Sequence, residues 1–450
     1  MNKILASLFI AASAFALTGC VGEEDDLFDK SATERLDEIS GIYTQRLASS
    51  EGGWIMEYYP QNSTEEAIGY GYLIACKFDK NHEVTCGAKN AYTYNNYKEA
   101  KSIWEIITDD GPVLSFNSRN DVMHIFSQPL DIPGTEDDEL GRGFEGDYEF
   151  IITDLQEGAE QAMLKGKKRG TYNRITRLPA GTDYEAYIDD VDAFIRTMFP
   201  LEGANELRLH IGSKDYNVDA MNTRMPNIYP ADGDKVIDKY LETYLMTKRD
   251  GKYCLRFRSP IGTGDEKEQE FIYNEATDAF EGVDNSKNIL RGLIGSDLPV
   301  YLTTESGVGI VWNITRMNPP ANKFDQLFEG LYTSFPAFNK QYTFTSATFT
   351  PGSDQTANIK LTYKQGRSSK AVSYRYDLQK TETGIIFSAP VPYNDEAQSL
   401  MDNIPELGAF LNSFTGEQTT SLEGSGFAVK SIRFTAKDDP NYSFVLNRAK

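Results

Sequence analysis

Histidine is scarce here, with three in 450 residues, and cysteine nearly so, with four. That leaves little material for catalysis built on imidazole or thiolate. His82, His124 and His210 stand singly, each more in keeping with a turn or strand position than with a ligand set. No His-Glu-x-x-His, Gly-x-Ser-x-Gly, phosphate-binding glycine loop or Cys-x-x-Cys occurs. Basic side chains are also few, 45 against 67 acidic, for a net charge of -22. A phosphate backbone is repelled by such a surface, so nucleic acid is excluded as a partner. Past the first twenty residues there is no long apolar run, so no helix of the processed chain spans a bilayer. The composition, 40% hydrophobic and 25% charged, is that of a globular protein.

The apolar run that does exist is N-terminal. Lys3 precedes a stretch from Ile4 to Leu17 interrupted only by Ser7 and Ser13, too short for a stable membrane anchor but right for a signal-peptide core. Leu17-Thr18-Gly19-Cys20 follows. This pattern resembles the bacterial lipoprotein signal, with residues 1–19 removed and Cys20 lipidated. The resemblance implies three acyl chains, which at ~0.8 kcal/mol per buried methylene anchor a protein to a lipid bilayer permanently. Residues 20–30 then form an acidic tether. Its Glu23-Glu24-Asp25-Asp26 run reads as solvated chain, and it also looks like the surface-export signal of Bacteroidetes lipoproteins. The implied location is the outer membrane, at the cell surface.

Helical signals are few. Ser31-Ala32-Thr33-Glu34 is a capping box, followed by Leu36, Ile39, Tyr43 and Leu47 at helical spacing. A second helix starts near Thr182 or Asp183, carries Tyr184, Tyr187, Ile188, Val191, Phe194, Ile195 and Met198 on one face, and ends at Pro200. Both faces suit core packing. The remainder reads as strands punctuated by Gly, Pro, Asn or Asp, among them Trp54–Tyr59, Tyr70–Phe78, Val113–Phe116, Tyr148–Ile152, Glu206–Ile211, Tyr342–Phe349, Asn358–Tyr363 and Ser431–Thr435. The expected fold is mainly β: successive antiparallel barrel- or sandwich-like units with an N-terminal helix and one linking helix.

A weak repeat sets the number of units. Trp104–Thr108 leads through Gly111 to Leu114-Ser115-Phe116. Tyr244–Thr247 leads through Gly251 to Leu255-Arg256-Phe257, and Tyr376–Leu378 through Gly384 to Ile385-Ile386-Phe387. A Phe-x-x-Pro signature recurs at Phe126, Phe257 and Phe387, so either Phe116 or Phe126 is the equivalent in the first unit. Glu149-Phe150-Ile151 recurs as Glu270-Phe271-Ile272. Generic hairpin chemistry also favours Thr, Gly and Phe, but the spacing fits three related β units of roughly 130 residues, the size of a small barrel or sandwich. The expected boundaries are 31–180, 181–320 and 321–450.

One hairpin fixes a register. Asp79-Lys80-Asn81-His82 reads as a type I turn with His82 in the left-handed position, which places Cys76 opposite Cys86. Opposed Cα atoms about 4.5–5.5 Å apart can carry a disulfide, and an oxidising envelope permits one; the alternative is two small buried thiols. Cys254 is left unpaired and buried.

Phe28-Asp29-Lys30-Ser31 with Glu34-Arg35-Leu36, the segment Gly53-Trp54-Ile55-Met56-Glu57-Tyr58-Tyr59-Pro60, and Lys165-Gly166-Lys167-Lys168 together resemble a family of Bacteroidetes lipoproteins known as a domain of unknown function. The resemblance runs across most of the processed chain and is tighter in its first 180 residues. It implies an accessory lipoprotein encoded beside SusC/SusD-type importers. It carries over no catalytic residue.

Two clusters are candidate binding surfaces. Tyr92, Tyr94, Tyr97 and Trp104 flank a polar loop and form either a platform for a glycan or peptide or ordinary cross-strand packing. Lys165, Lys167, Lys168 and Arg169, with Arg174 and Arg177 nearby, are either a dock for an acidic partner or lysines guarding a strand edge. The acidic stretch Asp131–Asp147 has oxygen ligands and glycines but not the spacing of a calcium-binding loop. No catalytic residue, metal site or cofactor is assigned. The expected function is non-enzymatic ligand capture for a nutrient importer; a carboxylate-based, glycosidase-like hydrolase and a structural or adhesive surface module are the alternatives.

Overall fold

Strand pairing divides the chain into three sheets, each made of consecutive strands. The structure, a computed structural model, describes residues 30–63, 68–109, 111–129, 143–201, 206–232, 242–304, 307–317 and 319–449. The signal segment, Cys20 and the tether up to residue 29 lie outside the described residues, as does most of Asp131–Asp147.

The first unit opens with helix α1 (Ala32–Ala48). Ser31 caps it: the Ser31 side chain accepts from the Glu34 N–H, and the Glu34 carboxylate accepts from the Ser31 N–H at 2.9 Å. Eight strands follow: β1 (Trp54–Tyr58), β2 (Tyr72–Phe78), β3 (Glu83–Ala88), β4 (Lys98–Thr108), β5 (Pro112–Phe116), β6 (Glu149–Asp154), β7 (Gln161–Gly166) and β8 (Tyr172–Arg177). Each pairs with the next, and β8 pairs with β1, so the sheet is a closed antiparallel barrel with no free edge.

The second unit repeats the plan. Helix α2 (Tyr184–Met198) leads into β9 (Leu207–Ile211), β10 (Lys214–Asp219), β11 (Asn227–Pro230), β12 (Tyr244–Arg249), β13 (Lys252–Thr263), β14 (Glu266–Asn274), β15 (Ala279–Gly282) and β16 (Ile289–Arg291). First and last strands again pair, Leu209 opposite Leu290. No ladder joins β11 to β12 among the described residues, so this barrel has a seam between its third and fourth strands.

The third unit starts with the short helix α3 (Leu298–Thr303) and β17 (Trp312–Thr315). It continues through α4 (Lys323–Phe338), β18 (Tyr342–Gly352), β19 (Thr356–Gln365), β20 (Ser368–Lys380) and β21 (Gly384–Phe387). After the two-residue β22 (Val391–Pro392) come α5 (Asp395–Asn403), α6 (Pro405–Asn412), β23 (Gly416–Glu423), β24 (Ser431–Ala436) and β25 (Ser443–Arg448). β17 pairs with β25, and β19 with β20, which closes a ring of eight with β22 outside it. The boundary expected at residue 320 is corrected here: β17 already belongs to the third barrel. The expected N-terminal and linking helices are α1 and α2, and six α-helices occur among the described residues. α4, α5 and α6 pack into the core of the third barrel through Phe324, Phe328, Leu400, Leu407 and Phe410.

The repeat is visible in register. The three hairpins singled out in the sequence are the fourth and fifth strands of their barrels. Trp104 opposes Phe116, Tyr244 opposes Phe257, and Leu378 opposes Phe387. Phe116 is therefore the equivalent of Phe257, whereas Phe126 lies on a 3-10 turn. The sixth strand completes the match: Leu114 opposes Phe150, and Leu255 opposes Phe271. The rings repeat in space as well. Phe116 and Phe150 meet edge to face at 6.3 Å, Phe257 and Phe271 at 6.1 Å. Phe78 meets Phe116 at 6.2 Å and 51°, and Phe349 of the third unit meets Phe387 at 6.0 Å and 49°.

These rings lie inside the barrels. Eight strands leave an interior just wide enough for side chains, and each barrel has its own cluster of buried apolar residues filling it. Each leading helix adds to the fill, through Leu47 of α1, Val191 and Met198 of α2, and Leu298, Tyr301 and Leu302 of α3. Truncating a ring such as Phe116 or Phe257 to Ala costs about 3–5 kcal/mol in a core of this kind.

Candidate functional site

With the interiors filled, ligand space lies on the outer walls. On the first barrel, a cleft of about 1270 Å³ runs over the outside of β4, β5 and β6. Its floor comes from alternation. Leu114, Phe116 and Phe150 point inward, so Glu105, Ile107, Ser115 and Glu149 face out. Glu105 and Glu149 both register against Ser115, one on each side.

Two connections raise the walls. Between β5 and β6, the Asn120 side chain accepts from the Val122 and Met123 N–H groups at 3.0 and 3.2 Å and donates to Ala100 O and Ser102 Oγ at 3.1 Å. This pins the loop to β4. His124 follows; its Nδ1 accepts from the Asn120 N–H at 3.1 Å, so the ring proton sits on Nε2. Burial holds its pKa below the usual histidine value against the backbone bonds that raise it, so the ring is neutral near pH 7. It stacks on Tyr148, ring centroids 4.7 Å apart at 28°. Tyr148 is 41% exposed and lines the cleft.

The β7–β8 turn makes the other wall. The Asp147 carboxylate accepts from the Lys168 and Arg169 N–H groups at 3.0 and 2.8 Å. Gly166 is required there, because a Cβ at that position would meet Asp147 Oδ2 at 2.2 Å. The expected basic dock is this turn, and its charges are largely spent. Lys167 pairs with Asp109 at 2.6 Å and Glu149 at 3.2 Å, Arg169 pairs with Glu145, and Lys165 sits over the Tyr172 ring at 5.7 Å. Lys168 alone of the four has no charged or aromatic partner among the described residues. The turn is thus a neutralised rim of the cleft.

The aromatic platform expected from Tyr92, Tyr94, Tyr97 and Trp104 does not assemble. Trp104 is wholly buried, because it faces inward on β4 and packs on Phe78 at 4.8 Å. Tyr92 packs on Phe126 and Phe144 at 5.6 and 5.4 Å. Tyr97 covers Gly87 and donates to Glu99 at 2.7 Å. Tyr94 alone is open, 88% exposed, at a left-handed turn position. The exposed ring with a cleft beside it is Tyr148. Its signal in the sequence was its place at the start of a strand rather than inside one.

The hairpin register is as expected: His82 has φ 64°, and Cys76 opposes Cys86. The two sulfurs stand 3.8 Å apart as free thiols, and burial pushes the Cys86 pKa up. Cys254 is buried and donates to Glu270 at 3.2 Å. Among the described residues no cluster of His, Cys, Asp and Glu is arranged to hold a metal ion.

Sequence reasoning missed a second feature. Where the outer wall of β1 and β8 meets that of β13 and β14, Glu57 receives Arg174 at 2.6 Å and Arg256 at 3.1 Å, and Arg174 also reaches Glu270 at 2.6 Å. Glu57 is fully buried and both arginines nearly so. This network joins the first and second barrels.

The family described as Domain of unknown function (DUF4302) matches residues 24–275, more than half of the chain. No curated protein matches. Of solved structures, intact Ap-TbpB with its N and C lobes is 8% identical over 87% of this chain and 74% of its own, at a TM-score of 0.14. A double mutant of Transferrin Binding Protein B from Haemophilus parasuis Hp5 is 8% identical over 88% and 75%, also at 0.14. The DNA polymerase III beta chain from Streptococcus pneumoniae TIGR4 is 10% identical over 92% and 97%, at 0.11. Scores of this size carry no argument about fold or function.

Proposed function

This chain belongs to the DUF4302 family, and we propose that it is a lipid-anchored protein of the outer membrane, exposed at the cell surface, that captures a ligand for a nutrient importer without transforming it. The observation that carries this reading is the division between packed cores and an open cleft on the outer wall of the first barrel. Each barrel has its own cluster of buried apolar side chains among the described residues, and the cleft on the first barrel lies outside, on a closed sheet. A preformed, half-polar concavity on rigid strands is what a capture protein needs. The anchor comes from the sequence around Cys20. It fits a chain in which, among the described residues, no helix is long and apolar enough to cross a membrane.

The test is purification of the native protein from detergent-solubilised membranes, beside a Cys20→Ser variant. The wild type is expected in the membrane fraction with an importer subunit of the SusC/SusD type, and the variant in the soluble fraction. A wild type found in the cytosol, or recovered from membranes without any importer subunit, contradicts the reading.

One arrangement favours a second reading, a carboxylate hydrolase. Glu105 and Glu149 flank Ser115 from adjacent strands, which sets their backbones about 9.5 Å apart, near the ~6.5–9.5 Å between the carboxyl groups of inverting glycosidases. If the wild type releases reducing ends from a polysaccharide and Glu105→Gln or Glu149→Gln stops it, the protein is an enzyme.

A further inference from the structure

We propose that the cleft over β4–β6 is an oligosaccharide site, selective for uncharged glycans, with Tyr148 as the ring on which a sugar stacks. The inference rests on the capture reading and names its ligand class.

Four observations converge on it. First, the cleft, at about 1270 Å³, exceeds the ~300–1,000 Å³ of a typical small-ligand pocket. It accommodates a chain of several units. Second, its floor is the face of a closed barrel. An extended peptide gains affinity by adding a strand to a free sheet edge, and this wall has none. Third, most charges of its described residues are matched internally. Glu149 is held by Lys167, Glu145 by Arg169, and Asp121 by Arg119 at 2.8 Å, while Asp147 caps backbone N–H groups. Among the described residues no concentrated field of either sign remains to select an ionic ligand.

Fourth, the groups that line the cleft suit a polyol. Tyr148 is supported on one face by the neutral His124 ring and remains 41% exposed. A sugar's C–H face packs on an aromatic ring of this kind. Around it lie planar hydrogen-bonding groups, the Glu105 carboxylate with its Asn117 partner, the Glu149 carboxylate beside Lys167 and the Gln128 amide beside Arg119. The carboxylates accept from pairs of neighbouring hydroxyls, and the amides donate to one hydroxyl and accept from another. The support behind Tyr148 keeps the ring from folding into the cleft, so little side-chain entropy is lost on binding.

Native affinity electrophoresis of the full mature chain tests this. The gels contain a soluble α-glucan, β-glucan, mannan, xylan or galactan, or polygalacturonate as the anionic control. The wild type is expected to be retarded in at least one neutral gel and not in polygalacturonate. Tyr148→Ala weakens that retardation about tenfold, and Tyr148→Phe, which keeps the ring, retains it. Free migration in all five neutral gels overturns the proposal. So does retardation that Tyr148→Ala leaves unchanged, and so does binding to polygalacturonate that Lys168→Ala removes. Co-purification of an importer subunit with a protein that no neutral gel retards would leave the capture reading standing and the glycan site refuted.

Discussion

The fourth-to-sixth-strand wall occurs in the first barrel and again in the second, and the two put it to opposite uses. Register makes the positions equivalent: Ser115 corresponds to Arg256, and Glu149 to Glu270. On the first barrel the wall is open. Glu149 shares Lys167 with Asp109 at a solvated rim, where an ion pair contributes about 0–1 kcal/mol. On the second barrel the same wall is covered by β1 and β8 of the first. There Glu270 meets Arg174, Arg256 meets Glu57, and water is largely excluded. The same glutamate position thus lines an open cleft in one unit and is part of a clamp in the other. What differs is the neighbour, which changes the dielectric around a scaffold that barely changes.

The largest expected effect breaks the clamp. Glu57→Ala leaves two arginines buried without their shared carboxylate, at a cost of about 3–5 kcal/mol; Glu149→Ala on the open wall costs under about 1 kcal/mol. Urea unfolding of both variants reads the difference, and equal losses would erase the distinction between the walls.

A smaller effect concerns the first barrel alone. Cys76 and Cys86 are opposed across β2 and β3 with their sulfurs 3.8 Å apart. In an oxidising compartment we expect them to be joined, closing a short loop at roughly 2–3 kcal/mol. Thiol counting on the exported protein, denatured without reductant, is expected to find one thiol, Cys254; three would show the pair reduced.

Smaller again is a pH effect confined to the clamp. Burial raises the Glu270 pKa, but Arg174, with Cys254 and Arg256 adding to it, outweighs burial and holds it below the model-peptide value of 4.5. A lowered folded-state pKa stabilises above the unfolded value, and that contribution is lost as pH falls through the folded one. Stability measured from pH 6 down to pH 2 is therefore expected to drop below about pH 4.5, and Glu270→Gln to flatten that limb. An unchanged limb would remove Glu270 from the clamp's energetics.

What could be read in advance follows the range of the physics involved. Alternation and turn chemistry are local, so all eight strands singled out are strands, His82 is left-handed, and Cys76 faces Cys86. The repeat was legible because each barrel needs a large ring at the same inward position, which kept Phe116, Phe257 and Phe387 in step. Helix α4 has its own local signature, in Asn322 as its cap and Phe324, Phe328, Leu331 and Phe335 on one face, but it is not among the helices read from the sequence. Trp104 failed as a platform because adjacent loop and strand residues gave no sign of which faced in. Arg174 reads with the basic cluster and Arg256 and Glu270 with the repeat, but nothing local to them or to Glu57 marks a clamp. Their meaning depends on two walls far apart in sequence coming together, as does the pairing of Tyr148 with His124.

The most direct measurement is carboxyl footprinting of the native full chain with a water-soluble carbodiimide and an amine, read by mass spectrometry. Glu105 and Glu149 are expected to label quickly, Glu57 and Glu270 slowly or not at all, and Glu105 and Glu149 to become protected when a retarding glycan is added. Rapid labelling of Glu57 and Glu270, at the rate of the other two, would contradict an account in which one wall is open and its counterpart is locked.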